Sequence, residues 1–169
     1  IYYPRTINVN IVGEVINPGS FTMPAINTAF NALAAAGGPS DIGSVRNIKI
    51  IRPGGKVREL DVYEFLLDPT ISQDYYLQDN DVIFVGVSDK LVSIQGPVKR
   101  PFIYELKANE ELKDLVKYAG GLSPNAYQGN FQVKRFVNDI EKIIDVNYGE
   151  LVNSANDFNI NAGDEVVIG

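Results

Sequence analysis

Alternating apolar and polar residues mark most of the chain, and this period of two predicts half-buried β-strands. Val9 and Ile11 lie in the first such run, and Ile48 and Ile50 lie in a later one. Between these runs the apolar spacing changes to that of a helix with one buried face. The helical face comprises Ala29, Phe30, Leu33 and Ala36.

The whole pattern occurs twice, at a spacing of 83 residues. Ala36-Gly37-Gly38 then falls on Ala119-Gly120-Gly121, and Asp81 falls on Asp164. Other turn and strand positions match in the same way: Gly13 with Gly96, Pro18 with Pro101, and Arg52 with Arg135. Because the matches fall where structure dictates the residue type, they indicate an internal duplication.

The duplication predicts two domains, a first module at residues 1–86 and a second module at residues 91–169, with a short linker at 87–90. Each module has the predicted order hairpin, helix, hairpin, short helix and closing strand. This is the order of an α+β fold of the β-grasp (ubiquitin-like) type, a mixed sheet with one main helix. The closing strand, such as Val82–Val85, is apolar enough to lie centrally beside the first strand.

Turn residues separate these elements. Asn17-Pro18-Gly19 predicts a tight turn in the first hairpin, because Pro presets φ and Gly supplies a positive φ. Lys99-Arg100-Pro101 takes that place in the second module. Pro53-Gly54-Gly55 and Asn138-Asp139 predict the turns of the second hairpins.

Polar residues also predict the helix ends. Asn27 or Thr28 is expected to cap the first helix, and Asn109 the second, with Glu110-Glu111 in its first turn. The Gly-Gly pairs that follow suit left-handed C-caps. Glycine-rich loops also cradle phosphates, but at helix N-termini. We therefore favour the capping interpretation.

Missing residue types exclude several chemistries. The chain has no Cys, His or Trp. Serine or cysteine nucleophiles activated by histidine are excluded, as are Cys/His zinc sites, thiolate iron–sulfur clusters and disulfides. We predict a protein that is not an enzyme and has no cofactor, metal or catalytic residue.

Charge argues against nucleic acid as a partner. Lys and Arg number 15 and Asp and Glu 21, so the net charge is −6. Phosphate neutralisation requires a basic face, and the basic residues here are scattered. The chain also opens at Ile1 without a signal peptide, so we expect a segment or mature form of a longer protein.

Acidic groups give two alternatives, each weaker than a structural interpretation. Asp79, Asn80 and Asp81 resemble calcium ligands, but they lack the spacing of an EF-hand loop, so we favour a turn cap. Two carboxylate sets suggest a glycosidase pair, yet their alternation predicts an exposed hairpin face. These sets are Glu59, Asp61 and Glu64, and Asp139, Glu141 and Asp145.

Exposed aromatic and basic residues are the remaining candidates for contact with a glycan or partner. Tyrosine offers an apolar ring and a polar tip, and Tyr75-Tyr76 is the pair we expect to be exposed. Lys99-Arg100 lies beside a predicted turn and suits an anionic polymer or a neighbouring subunit. The other tyrosines considered are Tyr2, Tyr3, Tyr104, Tyr118 and Tyr127.

Four features follow one another in the first module: the motif Val-x-Ile-x-Gly-x-Val, a Pro-Gly turn, a helix ending in Ala-Gly-Gly, and a closing Asp before a β-rich strand. Together they resemble the SLBB (soluble-ligand-binding β-grasp) domain. Tandem copies resemble the periplasmic part of Wza-like outer-membrane polysaccharide export proteins. The first module is the closer match, because Pro97 replaces Glu14 and Phe102 replaces Gly19 in the second.

This resemblance implies a non-catalytic periplasmic module of a capsule or exopolysaccharide exporter. The implied partners are other copies of the protein in a ring, the polysaccharide, and an inner-membrane polysaccharide co-polymerase. The alternative is a β-grasp module that binds a soluble small ligand or sugar. Either function would be served by surface residues such as Tyr75, Tyr76, Lys99 and Arg100.

Overall fold

A computed structural model describes residues 5–169, apart from the side chains of Ser72 and Gln73. The chain divides into two compact units between Ser88 and Asp89. In the part of the chain that is described, no helix combines the length and apolarity needed to cross a bilayer.

The first module is a five-stranded mixed sheet with a helix packed on one face. Its elements in chain order are β1 (Thr6–Gly13), β2 (Gly19–Pro24), α1 (Ala29–Ala35), β3 (Gly43–Ile51), β4 (Val57–Leu60), α2 (Val62–Leu67), a 3₁₀ helix (Pro69–Tyr75) and β5 (Asp81–Val87). The strand order is β2-β1-β5-β3-β4, with β1 and β5 parallel. The closing strand therefore lies centrally beside the first, as predicted.

The second module repeats this arrangement. Its elements are β6 (Leu91–Gln95), β7 (Ile103–Glu105), α3 (Leu112–Tyr118), β8 (Phe131–Val137), β9 (Ile140–Val146), α4 (Tyr148–Val152) and β10 (Glu165–Ile168). The strand order is β7-β6-β10-β8-β9, with β6 and β10 parallel. The predicted α+β fold of two tandem β-grasp modules is confirmed.

Each module has its own core between sheet and helix. Ile7, Val9 and Ile11 alternate inward along β1, which is the pattern of a strand with one buried face. In the second module Phe131 is fully buried, and its ring stacks on Tyr148 at 4.6 Å between centroids. Burial raises the pKa of the Tyr148 hydroxyl, and the Asp157 carboxylate adds to that shift.

Gly13 and Gly96 stand where the closing strand approaches the first strand of each module. A Cβ at Gly13 would lie 2.1 Å from the carbonyl oxygen of Val85, and one at Gly96 would lie 2.3 Å from that of Ile168. Both glycines have a positive φ, +93° and +107°. A side chain therefore fits at neither position.

The first hairpin is joined by a wider loop than predicted. Ile11 pairs with Gly19, so residues 12–18 form the connection. The Asn17 amide donates to the Ala36 carbonyl at 2.9 Å, and the Ile16 amide donates to the Gly38 carbonyl at 3.1 Å. The prediction of a tight turn at Asn17-Pro18-Gly19 is therefore wrong, because the amides of Ile16 and Asn17 hydrogen-bond to the end of α1.

The predicted cap of the main helix is confirmed in the first module and wrong in the second. Thr28 caps α1, and its amide donates to Asn31 Oδ1 at 2.9 Å. In the second module Glu111 is the N-cap, so the prediction that Asn109 caps and Glu110-Glu111 open the helix is wrong. The preceding residues form a separate turn, in which the Glu110 amide donates to the Lys107 carbonyl at 3.0 Å.

Candidate functional site

The Tyr75-Tyr76 pair is not exposed as a unit. Tyr75 lies half-buried at the end of the 3₁₀ helix, edge-on to Phe30 and beneath the Arg58 guanidinium. Tyr76 has 48% of its surface exposed. The predicted exposure is therefore wrong for Tyr75, because the 3₁₀ helix turns that ring onto the core. Tyr2 and Tyr3 lie outside the described residues.

Lys99 and Arg100 are exposed, but they also belong to the loop that closes on α3. The Lys99 amide donates to the Gly121 carbonyl at 3.3 Å. The Arg100 guanidinium donates to the Tyr118 carbonyl at 3.1 Å, at the helix C-terminus. A cation there complements the negative end of the helix dipole, so Arg100 has a structural role whatever else it contacts.

The glycine pairs terminate the two main helices, which confirms the capping interpretation. Gly37, Gly38, Gly120 and Gly121 all have positive φ. The Gly38 amide donates to the Leu33 carbonyl and the Gly121 amide to the Val116 carbonyl, at 2.8 and 2.9 Å. Neither pair lies at a helix N-terminus, so neither forms a phosphate cradle.

Asp81 and Asp164 are buried and hold the turn before each closing strand. Asp81 Oδ2 accepts from the Gln78 amide, and Asp164 Oδ2 accepts from the Asn161 amide, both at 2.8 Å. This confirms the turn-cap interpretation. Among the described residues no group of acidic side chains has the arrangement of a metal site.

Each buried aspartate also meets an arginine that the internal repeat had placed in register. Arg135 donates to both Asp164 oxygens, at 3.0 and 2.7 Å. These bonds raise the pKa of the Arg135 guanidinium, since they outweigh the opposing effect of burial. Arg52 Nε lies 3.5 Å from Asp81 Oδ2, so the first module has the looser version of the pair. The matched repeat positions were the signal that could have predicted this contact.

A second buried ion pair occurs in the first module. Arg46 donates to Asp61 through Nε and Nη2, at 3.2 and 3.0 Å, and both side chains are at least 94% buried. Asp61 also accepts from the Tyr63 amide and so caps α2. At the aligned positions the second module has Gly129 and an exposed Asp145. Sequence reasoning missed this pair because the duplication does not repeat it.

The proposed glycosidase carboxylates do not form a pair of opposed acids across a cleft. Asp61 is bound to Arg46, whereas Glu59 and Glu64 are exposed. In the second module the members at the β8–β9 hairpin, Asp139 and Glu141, are exposed. Asp145 lines a shallow groove of about 410 Å³ that also includes Glu150.

The sheet faces that point away from the helices differ between the modules. In the first module, Val12 pairs with Phe84, and both are nearly 40% exposed. The neighbouring residues on this face, across β5, β3 and β4, are Val82, Ile51 and Val57. We call Val12, Phe84, Val82, Ile51 and Val57 the apolar face; Lys49 and Glu59 continue the row of Phe84 on the same side of the sheet.

The outer face of the second module is polar along the row aligned with Val12 and Phe84, although Phe136 and Ile143 are exposed elsewhere on that face. Val167 pairs with Gln95 on one side and Gln132 on the other. Gln132 pairs in turn with Asp145. Adjacent to this row, Gln95 donates to Glu165 at 2.7 Å. We call Gln95, Val167, Gln132 and Asp145 the polar row.

The chain is a tandem β-grasp protein. Its two modules share their strand order and core pattern, but their outer sheet faces differ. The SLBB domain family matches the chain twice, over residues 8–61 and 91–144. The two matches cover more than half of the sequence and are in register with the internal repeat. The chain therefore belongs to the SLBB domain family, a family of binding domains associated with polysaccharide export. No curated protein sequence matches the chain.

Proposed function

We propose that this chain is a non-catalytic periplasmic part of a capsule or exopolysaccharide export protein, in which copies of the protein assemble into a ring. The observation that carries the proposal is the pair of SLBB domains in tandem. In this role the modules bind a neighbouring subunit and the polysaccharide, and an inner-membrane polysaccharide co-polymerase is a further partner.

The apolar face supports an assembly role. A patch of exposed apolar side chains on a sheet is typical of a surface that contacts another protein. Phe84 is its central aromatic residue, and aromatic residues are enriched at the centres of protein interfaces. We assign this face to contact with a second copy of the chain.

Native mass spectrometry of the longer parent protein in mild detergent tests the assembly. A closed oligomer is the expected result. A parent protein that remains monomeric across the accessible concentration range would contradict the ring, because ring contacts must form between identical subunits.

Phe84→Lys should shift that assembly strongly toward the monomer. Desolvating an unpaired charge in an interface that excludes water costs on the order of several kcal/mol, which is more than tenfold in the association constant. The measurement is the oligomer fraction of the variant at matched concentration. Val167→Lys, at the aligned position in the second module, is the control and should leave assembly unchanged. Equal loss in both variants would exclude the apolar face as the specific contact.

The alternative is a module for a small soluble ligand. A groove of about 430 Å³ in the first module favours it, and Arg5 and Asp79 supply charge at its edge. The groove lies at one end of the sheet, where Ile7 and Leu77 form part of its wall. The space between sheet and helix is instead filled by core side chains in both modules.

A further inference from the structure

Tyr127 stands over a glycine at the edge of the polar row. An ideal Cβ on Gly129 would lie 2.6 Å from Tyr127 Cζ, so the phenol end of the ring occupies the space that a side chain would need. The Tyr127 amide donates to the Gly169 carbonyl at 3.2 Å, which ties its backbone to the end of β10. Yet 65% of the residue remains exposed. The ring is thus held against the backbone and is open to solvent.

This ring borders a pocket of about 250 Å³ on the outer face of the second module. The remaining lining residues are Asn130, Gln132, Val167 and Gly169. In the described part of the chain the side-chain amides of Asn130 and Gln132 have no hydrogen-bond partner. Each amide offers a donor and an acceptor side by side, which is the pairing that a sugar hydroxyl needs.

The polar row extends this pocket across four adjacent strands. Gln95, Val167, Gln132 and Asp145 lie side by side, over about 14 Å at the usual strand spacing. That length exceeds a single sugar ring. Asp145 is the charged member of the row, and Lys134, the next residue of β8 on this face, pairs with Glu165. A carboxylate-bearing ligand would therefore be repelled at Asp145.

The first module differs from this surface at several aligned positions, although Asn47 matches Asn130. At the aligned positions Ser44 replaces Tyr127, Arg46 replaces Gly129 and Phe84 replaces Val167. Ser44 is buried, and Arg46 turns inward to Asp61. The two modules share their fold and core pattern despite these differences. The substitutions distinguish the outer face of the second module from that of the first.

We propose that the Tyr127 pocket and the polar row bind a segment of a neutral saccharide chain. The exposed ring stacks on one sugar unit, and the amides of Asn130 and Gln132 bind its hydroxyl groups. The inference deepens the proposed function, on which it rests for the supply of a glycan, and it locates the contact on the second module.

The 169-residue chain can be tested on a printed array of neutral glucan, mannan and galactan oligosaccharides beside oligogalacturonate. We expect retention of at least one neutral oligosaccharide and weaker retention of the galacturonate. Tyr127→Ala should lower affinity for the retained oligosaccharide about tenfold, as expected for loss of one ring contact. Gly129→Ala keeps the ring but displaces it, and should weaken binding several-fold.

Tyr76→Ala is the matched control, because it removes another exposed tyrosine. Gln132→Ala provides a second probe of the pocket, and thermal melts of each variant show that the chain remains folded. Unchanged affinity in both Tyr127→Ala and Gln132→Ala would overturn the site, as would the absence of any retained neutral glycan. Loss in Tyr76→Ala alone would also overturn it, by moving the contact to the first module.

The failure of this inference differs from the failure of the proposed function. Tyr127→Ala should leave the oligomeric state of the parent protein unchanged, because Tyr127 lies outside the apolar face. A monomeric parent with intact glycan binding would contradict the ring but support the saccharide site. An intact ring without glycan binding would support the ring and contradict the saccharide site.

Discussion

Gly13→Ala should destabilise the first module by about 2–5 kcal/mol, because one methyl group meets two penalties. A positive φ costs an alanine about 1–2 kcal/mol. The new Cβ would also lie 2.1 Å from the Val85 carbonyl oxygen, so β1 and β5 must separate, at a further cost of about 1–3 kcal/mol. Urea denaturation followed by far-UV circular dichroism measures the loss.

Gly38→Ala is the control for the conformational part of that effect. Its φ of +80° is similar to that of Gly13, but a Cβ there would have no atom within 4 Å. We therefore expect a loss of about 1–2 kcal/mol. Hydrogen exchange should accelerate at the paired amides of β1 and β5 in Gly13→Ala and stay slow in Gly38→Ala. Equal stability of the two variants would mean that the strands accommodate the methyl group without separating.

Asp61→Ala should cost the first module about 3–5 kcal/mol, since it leaves the buried Arg46 guanidinium without its carboxylate. The same substitution removes the cap of α2, which adds about 1 kcal/mol. Chemical denaturation measures the change, and thermal melts give the accompanying fall in Tm.

Asp145→Ala is the matched control, because Asp145 occupies the aligned position but is exposed. Its effect should stay within about 0.5 kcal/mol. The double variant Arg46→Met/Asp61→Ala should recover much of the lost stability, since it removes the isolated charge. No recovery in the double variant would show that capping and packing by Asp61, rather than charge pairing, stabilise this region.

The order of elements could be predicted because turn residues and apolar periods are local signals. The Asn138-Asp139 turn shows this well: both residues adopt positive φ, as a two-residue hairpin requires. The central position of the closing strand beside the first was predicted from its apolar character, although only one face of the strand is buried: Ile83 and Val85 lie in the core, whereas Phe84 is 39% exposed.

Predictions failed where contacts between distant segments outweigh local preference. Asn17-Pro18-Gly19 has the residues of a tight turn, yet the end of α1 provides better partners for the loop amides. Tyr75 has the polar tip of a surface residue, but Phe30 and Arg58 enclose its ring.

The candidate sites were predicted less well than the fold, because each depends on neighbours that belong to one copy alone. Tyr127 appeared in the sequence as one tyrosine among several, and its position depends on the missing side chain of Gly129. The Arg46–Asp61 pair likewise has no counterpart in the repeat. A comparison of the two copies detects the residues that they share, whereas the candidate sites use residues that differ between the copies.

The central position of the closing strands also affects how each module folds during synthesis. During synthesis β1 emerges before its parallel partner β5, which ends at Val87, so the middle of the first sheet stays empty until β5 has emerged. Such long-range pairing raises the contact order and slows folding. Until β5 arrives, β1 and β3 expose unpaired edges that invite aggregation. A nascent chain that has not yet released β5 from the ribosome should therefore depend on chaperones, whereas one that has released the whole first module can already fold that module.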